Sequence, residues 1–154
     1  MSNKPEYHIR AVEKDDMNDL IQLCADHAAY EDASFDQSGK VDTLANNLFG
    51  QEPPLLCHVV SDGDTLLGYV TFMRQFSTWH ASFYVYMDCL FLRPEARNAG
   101  LGKRLMAAVV DYAKANRCRE IQWQTPNTNA GAIRFYKKNG AEPKSKVRFF
   151  QSVS

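Results

Sequence analysis

The sequence carries no surplus of charge, because its 18 lysines and arginines are matched by 18 aspartates and glutamates. A protein that grips nucleic acid or an anionic membrane through its overall field needs a basic excess, so neither partner is expected. Any charge recognition must be local. Long hydrophobic runs are also missing. No stretch approaches the roughly 20 apolar residues of a membrane span, and Met1 to Arg10 lacks a basic segment followed by an apolar one. The expected location is the cytoplasm, with no membrane partner. Cysteine is sparse, and Cys24, Cys57, Cys89 and Cys118 form no C-x-x-C pair. That argues against a zinc knuckle or a redox dithiol and leaves small buried thiols. His8, His27, His58 and His80 show no metal-ligand spacing and no nucleophile-elbow motif accompanies them, so no chemistry is assigned to them. Repeats, linkers and low-complexity segments are absent as well.

What is present is the composition of an ordinary globular chain, 45% hydrophobic and 23% charged over 154 residues. That length suits one domain spanning residues 1–154. Tyr7 to Ala11 reads as a short strand, and Asp15 or Asp16 can cap a helix with apolar positions Met17, Leu20, Ile21, Cys24 and Ala28. A second helix is expected around Val41 to Phe49. Leu55 to Val60, Leu66 to Arg74 and Ser82 to Leu92 read as strands, the first two joined by turn chemistry at Ser61-Asp62-Gly63-Asp64. A helix follows from about Gly102 to Asn116, with Leu105, Met106, Val109, Val110 and Ala113 on one stripe. Then come a strand at Glu120 to Thr125, a helix at Asn129 to Lys138 stopped by Gly140, and a last strand at Val147 to Val153. This order mixes hairpins with crossover helices. It predicts an α/β fold whose mixed sheet is flanked by helices.

The segment richest in chemistry runs from Asp88 to Lys103. An apolar strand enters a turn carrying Arg97, Gly100 and Gly102, and a helix begins at once. Helix N-termini present unpaired N–H groups and the positive end of the dipole, and glycines let a diphosphate approach the backbone. Lys103 and Arg104 add positive charge. A P-loop would need Gly at Arg97 and Ser or Thr at Arg104, and a dinucleotide fingerprint would want a small residue at Leu105, so both are rejected. Taken alone, the two glycines could equally serve to shape a tight turn.

Arg97-x-x-Gly100-x-Gly102 after a strand resembles the R/Q-x-x-G-x-G/A coenzyme A signature of the GNAT acetyltransferases. Asn129-Ala130-Gly131-Ala132-Ile133-Arg134-Phe135-Tyr136-Lys137-Lys138-Asn139-Gly140-Ala141 resembles the family's N-x-x-(A/S)-x-x-F-Y-x-x-x-G segment. Ile9-Arg10-Ala11 with Asp16 resembles its opening strand and helix. The resemblance implies a sheet with splayed central strands and acetyl-coenzyme A as cofactor. It assigns the pyrophosphate to the turn at Arg97, Asn98, Gly100, Leu101, Gly102 and Lys103, and the pantetheine arm to Leu90, Leu92 and Asn129. Tyr136 corresponds to the general acid near the coenzyme sulfur.

Within the family the chain looks most like the diamine and polyamine acetyltransferases and their thialysine-acetylating relatives. The matches are Ala29-Tyr30-Glu31, Asn47-Leu48-Phe49-Gly50-Gln51-Glu52-Pro53, and Trp79 ahead of Tyr86-Met87-Asp88. That likeness implies a small-molecule amine substrate received by Tyr30, Glu31, Trp79 and Asp88, by carboxylates and aromatic faces. A carboxylate inside an apolar strand is costly unless paired or functional, which singles out Asp88. Asp88 is the expected base, with Glu31 second, and a strand N–H at Leu90 the expected oxyanion donor. Cys89 departs from the paired acids that the relatives often carry there. Family habit implies a homodimer with Val147 to Val153 at its interface. An acetyltransferase acting on protein amines and a non-catalytic coenzyme A-binding regulatory module stay open as alternatives.

Overall fold

The structure is a computed structural model that describes residues 4–154. It divides into two compact units, Met1–Trp123 and Gln124–Ser154. In the first, the chain forms β1 (His8–Ala11), α1 (Met17–Tyr30), α2 (Lys40–Leu48), β2 (Leu56–Ser61), β3 (Leu66–Ser77), β4 (Ser82–Leu92), α3 (Leu101–Ala115) and β5 (Cys118–Gln122). The strands lie in the order β1-β2-β3-β4-β5. Neighbours are antiparallel except β4 and β5, which run parallel through the α3 crossover. A mixed sheet with a helical crossover was the expectation.

Period-2 alternation sends β3 and β4 side chains to both faces, and both faces are covered. Tyr69 and Phe91 join Val59, Cys57 and Leu66 in one cluster with Met17, Leu20 and Leu23 of α1 and Leu48 of α2. On the opposite face Phe72 meets Tyr112 of α3 edge-on at 5.2 Å. The stripe that α3 buries is Leu101, Leu105, Val109 and Ala113, one residue per turn. The turn at Ser61 to Asp64 forms as its residues require. Asp62 Oδ1 accepts from the amides of Asp64 and Thr65 at 2.9 and 2.8 Å. The entry to α1 differs from expectation, because Asp16 turns its carboxylate back to accept the Glu13 amide at 2.7 Å and caps a preceding 3-10 turn. Arg10 grips the same carboxylate at 2.6 and 2.9 Å and, with the Glu13 amide, holds it below the usual carboxylate range.

The second unit holds α4 (Ala130–Lys138), capped by Asn129, whose Oδ1 accepts the Ala132 amide at 3.1 Å. The strand expected at 147–153 does not form. Residues 141–154 carry no regular structure, and Val147, Phe149, Phe150 and Val153 are almost fully exposed. The alternating pattern is strand-like, but a strand exists only by pairing, and this segment lies along no ladder among the described residues. Within the unit, Arg148 Nη1 donates to Gln124 Oε1 at 3.1 Å and lies 4.8 Å over the Phe150 ring.

β3 and β4 approach each other closely where Gly68 faces Leu92. A Cβ on Gly68 would stand 2.6 Å from the Phe91 carbonyl oxygen and 2.5 Å from Leu92 Cδ2. Gly68→Ala therefore has to push backbone apart, and overpacking of this kind costs about 1–3 kcal/mol. Urea unfolding should show the loss. A parental midpoint would mean that the two strands are free to separate there.

Candidate active site

The geometry of the site starts with β4. Its register with β5 runs only from Phe83↔Cys118 to Tyr86↔Gln122, while its pairing with β3 continues to Leu92. From Met87 onward β4 has a neighbour on one side only among the described residues. The β3 register also slips, passing from Phe72↔Met87 to Thr71↔Cys89. Asp88 is the extra residue of this bulge, which re-aims its side chain. Asp88 is therefore not the desolvated carboxylate that its apolar strand led us to expect. Its side chain is exposed, and the bulge is what frees it from the core.

Beyond β4, Pro94–Ala96 makes a 3-10 turn, Asn98 and Gly100 take left-handed φ angles of 64° and 74°, and α3 begins at Leu101. Left-handed backbone favours Gly and tolerates Asn, the two residues found there. Among the described residues no acceptor takes the amides of Asn98 through Lys103, whereas Arg97 and Arg104 donate to Pro94 and Gly100. Unclaimed amides at a helix N-terminus, with Lys103 and Arg104 exposed beside them, form a cradle for an anion. These residues fit the diphosphate of coenzyme A.

Arg97 ties this turn to α1. Its Nε donates to the Leu92 carbonyl at 3.0 Å, and its guanidinium lies 4.6 Å over the Tyr30 ring and 5.8 Å over Phe91. Arg93 adds a second tie by donating to Asp26 of α1 at 2.5 Å and to the Leu66 carbonyl at 3.2 Å. The end of α1 is thereby fixed beside the turn. Tyr30 is half-exposed there and Glu31 follows as the C-terminal cap. Behind them, His27 Nδ1 meets the Tyr69 hydroxyl at 2.7 Å, and His27 Nε2 meets Glu31 Oε1 at 3.3 Å.

So Tyr30 and Arg97 meet, with Glu31 next in the chain beside His27, while Leu90 and Leu92 lie half-buried along β4. Trp79 does not join them. It stands in the β3–β4 turn, 91% exposed, with no ring contact among the described residues. Asn129 and Tyr136 share α4 in the second unit, where Tyr136 packs edge-on to Phe135 at 5.4 Å. All four cysteines are free. Burial pushes the Cys89 thiol up to about 11, so it offers no thiolate nucleophile at neutral pH. His27, Tyr69 and Phe91 are site neighbours that the sequence reading left without a role. The signal for one of them was legible, since His27 precedes Glu31 by one helical turn.

A family model described as acetyltransferase (GNAT) family matches residues 15–141. The chain belongs to this family. It is an acetyl-CoA-dependent N-acetyltransferase, and its cofactor is acetyl-CoA. The thialysine N-epsilon-acetyltransferase of Bos taurus is 25% identical over 142 residues, covering 87% of this chain and 83% of that protein. Among solved structures, an integron cassette protein from V. cholerae is 26% identical with a TM-score of 0.78, covering 94% of this chain and 93% of its own. An aminoglycoside N-acetyltransferase solved with CoA shares the fold, with a TM-score of 0.84 at 17% identity over 100% of this chain and 99% of its own. Among the described residues no helix is long and apolar enough to cross a membrane.

A GNAT chain with this cradle should be stabilised by its cofactor, because a ligand that binds only the native state contributes about 2.7 kcal/mol at 100 times its Kd. Acetyl-CoA should raise the melting temperature. Gly102→Val should abolish the rise by blocking backbone approach, and Lys103→Glu, on an exposed side chain, should weaken it without disturbing the fold. An unchanged melting temperature at saturating acetyl-CoA would remove the cradle from the site.

Proposed function

We propose that this GNAT enzyme acetylates the primary amine of a small cationic molecule, a diamine, polyamine or amino-acid-like amine. The observation that carries the reading is the acidic end of α1. Glu31 and the half-exposed Tyr30 face solvent, with the Tyr30 ring under the Arg97 guanidinium and 6.1 Å from Phe91 of β4. A carboxylate and an aromatic face are the groups that hold an alkylammonium. The names of the thialysine-acetylating relatives support a small amine of this kind. Acetyl-CoA supplies an activated acetyl group, and an amine held in line with it needs no covalent enzyme intermediate.

In this reading the amides of the turn hold the pyrophosphate, and β4 from Leu90 to Leu92 pairs with the pantetheine arm, helped by Asn129. Asp88 takes the proton of the incoming ammonium, directly or through water, and the Leu90 amide stabilises charge developing on the carbonyl oxygen. Glu31 receives the cation and Tyr136 returns a proton to the leaving thiolate. We also read the enzyme as a cytoplasmic homodimer in which the exposed residues 147–153 find a partner. The alternating Val147, Phe149 and Val153 support that reading, since exposed apolar alternation is a strand in search of a ladder.

Asp88→Asn should lower turnover about 100- to 10,000-fold at neutral pH while leaving acetyl-CoA affinity intact. The deficit should shrink at high pH, where more amine is already free. Steady-state rates across pH with a panel of amines decide it, and near-parental rates at neutral pH would move the role to Glu31 or water.

Tyr136→Phe keeps the ring and reports on the hydroxyl. A thiolate leaves tolerably without protonation, so the expected loss is about 10- to 1,000-fold in turnover with unchanged cofactor binding. Full turnover in a variant that binds acetyl-CoA, measured where chemistry limits the rate, would make Tyr136 a packing residue.

A further inference from the structure

We infer that His27 is a positioning residue that sets the charge selectivity of the acceptor site, by holding Glu31 through one ring nitrogen while the buried Tyr69 hydroxyl fixes the other. This rests on the reading of Glu31 as the group that receives the substrate's cation. The two contacts come from opposite ends of one imidazole. Tyr69 of β3 reaches Nδ1 at 2.7 Å, and Glu31 Oε1 lies 3.3 Å from Nε2. The ring has little freedom to choose another arrangement. It stacks on Phe91 of β4 at 5.0 Å with planes 14° apart and meets the Tyr69 ring edge-on at 5.8 Å.

Donor and acceptor rules then fix the tautomer. An ionised carboxylate only accepts, so Nε2 carries the proton and donates to Glu31, and in the neutral ring Nδ1 then accepts from the Tyr69 O–H. Burial pushes the Tyr69 hydroxyl far above its ordinary pKa, so its proton stays in place to be donated. Exposure falls along the chain, from 38% for the Glu31 side chain to 15% for His27 and 2% for Tyr69. A group anchored in the core thus orients a group at the surface. Glu31 caps the end of α1 and would otherwise sample several rotamers in water, each of which places its charge elsewhere. Held by His27, its second oxygen is left to meet a cation beside Tyr30. The same imidazole is linked through Phe91 to Arg97, whose guanidinium lies over both Phe91 and Tyr30. The acceptor end of α1 and the cofactor turn therefore share one aromatic support.

The test uses two acceptors of one length, 1,4-diaminobutane and 4-aminobutan-1-ol, which differ only in the distal cation. The quantity read is the ratio of their kcat/KM values. Glu31→Gln should collapse the preference for the diamine. His27→Leu, which keeps an apolar contact with Phe91, should lower the ratio about fivefold to tenfold through KM of the diamine, as expected for loss of a hydrogen bond to a charged group partly screened by water. His27→Gln, able to donate to Glu31, should restore part of the ratio. In the Glu31→Gln background, His27→Leu should add little, because the two residues act as one unit. Nitrogen NMR of the free enzyme reads the device without any substrate. At a pH where the ring is neutral, it should show the proton on Nε2 of His27, and a shift of Nδ1 in Tyr69→Phe. A ratio unchanged by Glu31→Gln would overturn the reading of Glu31. A ratio that falls in Glu31→Gln but not in His27→Leu, additive losses in the double variant, or a neutral ring with its proton on Nδ1 would overturn the relay itself.

Discussion

The parting of β4 from β5 after Tyr86 is the constraint on which the rest of this structure depends. Parallel pairing begins at Phe83↔Cys118 and ends at Tyr86↔Gln122, yet β4 continues to Leu92 against β3. A strand in the middle of a sheet normally spends its amides and carbonyls on both neighbours. Here one half of β4 pairs with β3 alone among the described residues, with the bulge at Asp88 at the start of that half. The glycine at Gly68 matters for the same reason, since it lets β3 hold the free half of β4 tightly from the remaining side.

The positions of the charged groups follow from this. The bulge lifts Asp88 out of the core, so the carboxylate is carried by the sheet without the cost of burial. The end of β4 feeds directly into the turn whose amides start α3, and Arg97 folds back from that turn to the Leu92 carbonyl and the Tyr30 ring. Arg93 reaches Asp26 from the same corner. The turn that starts α3 and the end of α1 are thus built from one set of contacts around Phe91. On the reading proposed here, a small amine enters where those contacts leave Glu31 and Tyr30 exposed.

Much of the fold was legible from sequence because it rests on local rules. β4 runs from Ser82 to Leu92 as its pattern required, the Asp62 turn closes as its side chain dictates, and Asn129 caps α4. The turn from Arg97 to Gly102 stood out because glycine, positive charge and a helix start coincide in one short segment. What sequence did not reveal was set by contacts between distant residues. The pairing of His27 with Tyr69 spans 42 positions and leaves no periodic trace. The bulge that exposes Asp88 is a property of two strands in register, so the residue read as a buried acid within an apolar run. The strand expected at 147–153 had the right alternation, but pairing requires a neighbour that alternation cannot supply.

Amide hydrogen exchange with and without acetyl-CoA reads whether the half of β4 beyond Met87 and the turn after it receive the cofactor through backbone groups. Exchange should slow on binding at the amides of Asn98 to Lys103 and at those of β4 between Met87 and Leu92 that face away from β3. Protection confined to other parts of the chain, with these amides exchanging at the same rate in both states, would contradict it.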